Sequence, residues 1–241
     1  KLGRSLIFEV TSQHIETEMK DNKVIVLGAT GLVGKELVKQ LLLREDVSTV
    51  TCLLRRTTGI SNPKLHEVIV DFDKPSSFSE ALKGDVLFSA FGTTIKKAGS
   101  QDAQYKIDYT YQYQVAKAAK EAGVKQYVLI SSVGANADSS MFYNRIKGEL
   151  DRDVQKLKFD QIAILRPSVL AGKREESRPA EKAGIWFGKY IIPLIPYFRK
   201  FRAIPVSKVA AAMIGAWTTQ DQPVLIREAD ALFRLADAAK D

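Results

Sequence analysis

Short apolar runs alternate along this chain with longer segments whose apolar residues recur every three to four positions. Val24-Ile25-Val26-Leu27 is an unbroken apolar run that meets three glycines, Gly28, Gly31 and Gly34. Such a run predicts a buried parallel strand over residues 23–27, and the glycines predict a tight turn from strand into helix. Val33, Leu37, Val38, Leu41 and Leu42 follow at helical spacing and give that helix one apolar face. Further strands are predicted at 47–54, 67–70, 85–89, 126–130 and 161–165. Between them the pattern predicts a short helix at 76–82, a long one at 102–122 stopped by Gly123-Val124, and another at 141–157. On the long helix, Ile107, Tyr111, Val115, Ala118 and Ala122 mark the expected core face. From 171 to 202 the pattern loosens into prolines, charges and aromatics, and helices return at 207–217 and 229–239.

Strands and helices alternate with no internal repeat, which is the pattern of an α/β fold with a doubly wound parallel sheet of the Rossmann type. The expected organisation is an N-terminal extension or leader at 1–22, a dinucleotide-binding core at 23–170, and a C-terminal lid or substrate region at 171–241 packed on the same domain. Met19 directly before the first strand reads as a natural start, with 1–18 as leader or extension. The 241 residues, 45% of them hydrophobic, suffice for one sizeable core.

Charge and cysteine content narrow the function classes. A net charge of +8 suits a phosphate-rich ligand. The basic residues are scattered rather than blocked, so no nucleic-acid partner is expected. The apolar run at 190–198 is interrupted by Pro193 and Pro196 and is too short to cross a membrane. A single cysteine, Cys52, excludes an internal disulfide framework and predicts a cytoplasmic protein. His14 and His66 lack metal-ligand spacing, so neither a metal site nor a His-based triad is expected.

Without a Cβ, the backbone at Gly28, Gly31 and Gly34 can approach a pyrophosphate, whose charge then faces free N–H groups and the positive end of a helix. The second strand ends in Arg55-Arg56, where a dinucleotide fold reads the adenine ribose. An acid there binds the 2′-hydroxyl and an arginine accepts a 2′-phosphate. Two arginines and no acid predict NADPH/NADP, and one charge-assisted hydrogen bond of about 1.5–3 kcal/mol gives roughly ten- to hundred-fold preference over NADH. Asp71, closing the third strand, either bonds the adenine amine or forms a turn. The small residues of Ala90-Phe91-Gly92-Thr93-Thr94 let the cofactor pass close to the backbone.

Tyr143 and Lys147 stand four apart on one helix face. A tyrosine titrates near ~10 in water and needs help to move protons at neutral pH. A nearby lysine and an oxidised nicotinamide provide it by stabilising the phenolate. Ser132, at the end of the preceding strand, is placed to hold a substrate carbonyl oxygen beside the tyrosine. Tyr105, Tyr109 and Tyr113 form a second stripe on the long helix, either a subunit contact or a half-exposed flank, so the chain is expected to be a monomer or a homodimer.

Gly28-Ala29-Thr30-Gly31-Leu32-Val33-Gly34, Ser131-Ser132, Tyr143-x-x-x-Lys147 and Arg166-Pro167 together resemble an atypical short-chain dehydrogenase/reductase, a family akin to the NAD-dependent epimerases and dehydratases. Leu54-Arg55-Arg56, Gly92-Thr93-Thr94, Lys97-Ala98-Gly99, Ser131-Ser132-x-Gly134-Ala135, Lys158-Phe159-Asp160, Arg166-Pro167-x-Val169-Leu170 and Glu176-Ser177-Arg178-Pro179 resemble its Tat-interacting-protein oxidoreductase subgroup. The resemblance implies NADPH contacts from Thr30, Gly31, Leu32 and Val33, with Arg55 and Arg56 at the 2′-phosphate and Phe91 and Gly92 near the ribose. It further implies that Pro167, Leu170 and Arg178 border the cofactor, that Tyr143 is the acid/base, and that Lys147 is its partner and holds the nicotinamide ribose. The chain departs from the wider family at Asp108, in the region where many members use a helix asparagine to anchor a relay water.

The function expected is hydride transfer from NADPH to a small, apolar carbonyl substrate. Two alternatives stand beside it: an NADPH-sensing regulatory protein with little turnover, and a sugar-nucleotide epimerase or dehydratase. The aromatic stretch from Ile185-Trp186-Phe187 to Phe201 reads as an apolar substrate lid, as a peripheral membrane contact, or as ordinary packing on the sheet edge.

Overall fold

The computed structural model describes residues 21–171 and 203–239. Arg178, the Glu176–Pro179 tetrapeptide, the aromatic stretch at 185–201 and nearly all of the N-terminal extension lie outside the described residues.

The chain opens with β1 (Asn22–Leu27), α1 (Leu32–Leu42), β2 (Val47–Leu54), β3 (Leu65–Ile69) and β4 (Val86–Ser89). Then come α2 (Ile95–Ala98), α3 (Gln101–Tyr105), a π-helical turn (Lys106–Thr110), α4 (Tyr111–Glu121), β5 (Gln126–Ile130), α5 (Phe142–Gln155) and β6 (Gln161–Arg166). The order ends with β7 (Leu170–Ala171), β8 (Ile204–Pro205), α6 (Val206–Thr219), β9 (Val224–Glu228) and α7 (Ala231–Ala238). Seven strands form one parallel sheet in the order β3-β2-β1-β4-β5-β6-β9, while β7 and β8 pair separately.

The central strands are buried on both sides, which is why they read as continuous apolar runs. Val24, Val26, Val50, Phe88 and Val128 face a layer built from α1, α6 and α7. Ile25, Leu27, Leu87, Leu129 and Ile164 face the opposite layer, built from α4 and α5. Phe88 meets Trp217 of α6 edge to face, with ring centroids 5.7 Å apart.

The structure adds α2, β7 and β8, which the sequence pattern does not predict, and departs from it more markedly at three further places. The helix expected at 76–82 is two 3₁₀ turns, Pro75–Ser77 and Ser79–Ala81. Its serines bond the backbone instead: Ser77 Oγ donates to the Asp71 carbonyl and Ser79 Oγ to the Pro75 carbonyl, both at 2.8 Å. Serine competes with helix formation in this way. The seventh strand, β9, was not anticipated, because it lies at a sheet edge and of its residues only Leu225 is fully buried. The long helix is interrupted by the π-helical turn, which accommodates one extra residue and rotates the face that follows. Its buried positions are therefore Gln104, Asp108, Gln112, Val115, Ala116 and Ala119, whereas Ala122 is exposed.

The tyrosine stripe lies along α5. The rings of Tyr105, Tyr109 and Tyr113 sit 4.9 and 5.9 Å apart in succession, and Tyr109 donates to Asp153 at 2.9 Å. Burial, then that carboxylate, pushes the Tyr109 hydroxyl well above its ordinary range.

Phe88 is fully buried where the sheet meets α6. Phe88→Ala should lower unfolding free energy by about 3–5 kcal/mol in urea denaturation; a loss below about 1 kcal/mol would show that this layer is not packed as described.

Candidate dinucleotide and catalytic site

Strand order reverses at β1, whose neighbours are β2 on one side and β4 on the other. An open sheet of this kind receives its ligand at that switch point, beyond the carboxyl ends of the strands. The turn from β1 into α1 occupies the crevice. Gly28 has φ of +91°, and a Cβ there would lie 2.6 Å from the Ala90 carbonyl. A Cβ on Gly34 would lie 2.1 Å from the Gly28 carbonyl oxygen. The turn and the first turn of α1 thus pack backbone to backbone. Gly31 caps α1 with no side-chain hydrogen bond, which leaves the first N–H groups of the helix without a capping side chain among the described residues. This cradle fits a pyrophosphate. Thr30 is exposed beside it and Leu32 is half-buried, whereas the Val33 side chain is buried and only its backbone can face a ligand.

Arg55 and Arg56 follow β2, both exposed, and neither pairs with a carboxylate among the described residues. Arg56 lines a cavity of about 750 Å³ with Thr30, Lys35, Lys39, Thr58 and Val206. Three cations therefore converge next to the glycine turn. Asp71 is engaged locally: its carboxylate accepts the Asp73 N–H at 3.0 Å and lies 3.6 Å from Lys74. This is the turn-forming geometry of the two readings. Phe91 meets Phe72 at a tilt with ring centroids 5.2 Å apart, and Phe72 meets Tyr111 at 5.5 Å, so an aromatic cluster borders the ends of β3 and β4.

On the other side of the crevice, α5 carries Tyr143 near its start and Lys147 one turn later. Tyr143 is 41% exposed, whereas Lys147 is 4% exposed. The loop leaving β5 folds back across α5. The Asn136 N–H donates to the Asn144 carbonyl at 3.0 Å, and a Cβ on Gly148 would lie 2.2 Å from the Ala137 nitrogen. Ser132 sits at the root of this loop, its hydroxyl only loosely engaged by the Val133 carbonyl at 3.3 Å. Pro167, buried after β6, accepts the Val133 N–H at 3.1 Å, and Leu170 lies in β7.

Lys147 is paired with Asp108 of the π-helical turn at 2.9 Å, both side chains buried. Burial pulls the lysine down, but Asp108, Tyr143 and Asp151 outweigh it and hold the ammonium above its ordinary range. A raised lysine stabilises the fold fully below its unfolded pKa of about 10.4, and that stability is lost only as pH climbs past the raised value. Asp151, one turn beyond Lys147, is pushed up by burial and is held by Arg166 at 2.9 Å, which also bonds Glu228. Cys52 takes no part: burial pushes its thiol up to about 12.

Sequence reasoning missed the polar layer beneath the site. Ser89 donates to Gln112 at 2.7 Å, Gln112 donates to the Asp108 carbonyl at 2.7 Å, and Gln104 donates to the Thr93 carbonyl at 3.3 Å. Its signal was present as Gln104, Asp108 and Gln112 at i, i+4 and i+8, a polar stripe inside an otherwise amphipathic helix.

The cradle has no room for a side chain at Gly34. Gly34→Ala should cost about 1–3 kcal/mol of stability by forcing the turn away from the helix, and should weaken dinucleotide binding at least tenfold in calorimetry; wild-type binding in the variant would show that the cradle is not the pyrophosphate site.

A family model described as NAD(P)H-binding matches residues 28–184. Protein FMP52, mitochondrial, of Candida albicans is 40% identical over 226 residues, which is 88% of this chain and 97% of the relative. Protein HTATIP2 of Rattus norvegicus is 37% identical over 203 residues, 82% of each chain. Among solved structures, the Bordetella bronchiseptica enzyme WbmH in complex with NAD+ superposes with a TM-score of 0.65 at 15% identity, covering 90% of this chain and 79% of that one. A UDP-galactose 4-epimerase superposes with a TM-score of 0.63 at 17% identity, covering 85% and 75%. The expected cytoplasmic location is overturned. The Candida relative is named mitochondrial, as are counterparts from Aspergillus niger and Aspergillus fumigatus at 41% and 36% identity. A lone buried thiol excludes a disulfide framework but does not choose among reducing compartments. With its parallel Rossmann-type sheet and NAD(P)H-binding match, the chain belongs to the atypical short-chain dehydrogenase/reductases of the HTATIP2 type.

Proposed function

We propose that this protein is an NADPH-dependent carbonyl reductase, working in mitochondria as the names of its fungal relatives suggest. The observation that carries the reading is the pairing on α5 of a solvent-facing Tyr143 with a buried, charge-compensated Lys147 one turn away.

The nicotinamide, when bound, supplies the hydride. The residues of the chain do the rest. The Gly28–Gly34 cradle and the N-terminus of α1 hold the pyrophosphate. Arg55 and Arg56 hold the 2′-phosphate, with Lys35 and Lys39 facing the same cavity as Arg56. Ser132 donates to the substrate carbonyl oxygen and orients it. Tyr143 passes its hydroxyl proton to that oxygen as it becomes an alcohol. The Lys147 ammonium stabilises the phenolate left behind and bonds the nicotinamide ribose. Ile95, Met141 and Val169 are exposed apolar residues at the same end of the sheet, which favours an apolar substrate. Sugar-nucleotide chemistry is the weaker reading, because the shared fold at 17% identity extends over only 75% of the epimerase chain.

Tyr143→Phe should abolish turnover of a carbonyl panel followed by NADPH absorbance, while NADPH affinity stays within about threefold. Equal turnover in the variant would remove Tyr143 from the chemistry. Replacing Arg55 and Arg56 together by alanine should cut the NADPH-over-NADH preference by roughly ten- to hundred-fold, read as the ratio of the two dissociation constants; an unchanged ratio would refute their role at the 2′-phosphate.

A further inference from the structure

Asp108 is placed by an unusual piece of backbone. The π-helical turn Lys106–Thr110 carries its side chain into the crevice, where it is 1% exposed. One carboxylate oxygen contacts Lys147 Nζ at 2.9 Å, and the other accepts the Thr93 N–H at 3.1 Å. The loop is bound a second time through Gln104, which donates to the Thr93 carbonyl. A Cβ on Gly92 would lie 2.7 Å from the same Asp108 oxygen and 3.6 Å from Lys147 Nζ. The space that a side chain would need after β4 is thus taken up by this ion pair. At 2.9 Å the two groups touch directly, with no room for a water between them.

A buried ammonium is costly without a partner, and only some neighbours can serve. The charged and titratable groups that face Lys147 are Asp108 from the π-helical turn and Tyr143 and Asp151 from its own helix. Asp151 is already bonded to Arg166 of β6, which bonds Glu228 of β9. Asp108 has Lys147 as its cation among the described residues. The β4 loop contributes the Thr93 N–H, a dipole that favours the carboxylate. Asp108 is therefore the group whose charge compensates Lys147, and the same carboxylate ties the lysine to the loop that borders the crevice.

We infer that Asp108 is a positioning residue of the cofactor site: its carboxylate keeps the Lys147 ammonium charged and fixes it to the Gly92-Thr93 backbone. On the reductase reading, on which this inference rests, it sets the charge that faces Tyr143 and the nicotinamide ribose. Its role is electrostatic as well as structural. An asparagine has the same shape and can still accept the Thr93 N–H, but it cannot compensate the lysine. Burial would then dominate, and Lys147 would release its proton at a lower pH.

Asp108→Asn separates the two roles. NADPH affinity is measured by nicotinamide fluorescence from about pH 6.5 to about pH 9.5, a window below the ordinary lysine pKa. Wild type should bind with little change across it, and Asp108→Asn should lose roughly tenfold or more as pH rises, because a charged hydrogen bond is lost with the proton. An Asp108→Asn profile parallel to wild type, however weak, assigns the residue a merely structural role and overturns the inference. If the variant does not fold, the wild-type protein decides: the Lys147 Cε resonance in carbon-13 lysine spectra, assigned through Lys147→Arg, should not titrate below about pH 10. Titration below that pH overturns the inference. Wild type that binds NADPH without reducing any carbonyl sinks the reductase reading alone, since the two readouts of Asp108 do not depend on turnover.

Discussion

The whole arrangement depends on two backbones touching where β1 turns into α1. Gly28 lies against the Ala90 carbonyl at the end of β4, and Gly34 lies against the Gly28 carbonyl. A methyl group at either position would separate β1 from β4 or α1 from the turn. That close approach fixes the crevice at the one place where strand order reverses. It brings the first N–H groups of α1 next to the loop that follows β4. Everything with a chemical role is then a matter of what the carboxyl ends of β2, β4, β5 and β6 place around the rim.

The two sides of the crevice are built on different physics. At the end of β2 the candidate groups are exposed: Arg55 and Arg56 pair with no carboxylate among the described residues, and Arg56 shares a cavity with Lys35 and Lys39 of α1. Solvent screens such exposed charges. On the α5 side Tyr143 faces solvent, but Lys147 and the groups beneath it are buried and already paired. Ser89, Gln112, Asp108 and Lys147 form one connected layer under the site, while Asp151, Arg166 and Glu228 form a second that reaches the sheet edge. Buried polar groups in this density are tolerated because nearly all of them have partners, and they hold their geometry for the same reason.

What could be read from the sequence follows from this division. The central strands were legible because parallel strands covered on both faces must be largely apolar, as Val24 to Leu27 and Val86 to Phe88 are. Tyr143 and Lys147 were legible because their spacing is local to one helix. β9 was not, since an edge strand needs few buried residues and Val224-Leu225-Ile226 looks like a brief apolar patch. The π-helical turn was not either: Lys106-Ile107-Asp108-Tyr109-Thr110 holds no glycine or proline to mark it. A regular 3.6-residue count carried across it put Ala122 in the core and overlooked Gln104, Gln112 and the burial of Asp108. The compartment was beyond reach, because one buried thiol is compatible with any reducing environment.

The π-helical turn and the departure at Asp108 have one physical explanation. A carboxylate in place of an amide adds a full negative charge at a buried position, which the fold can hold only if a cation meets it without intervening solvent. A regular helix from Gln101 to Glu121 would set the residues after Asp108 in a different phase, and Gln112 would no longer reach both the Asp108 carbonyl and Ser89. The extra residue in the turn lets Asp108 reach Lys147 and Thr93 while Val115, Ala116 and Ala119 still pack against the sheet. The irregularity in the helix is thus what allows one segment to serve both the ion pair above and the apolar core below.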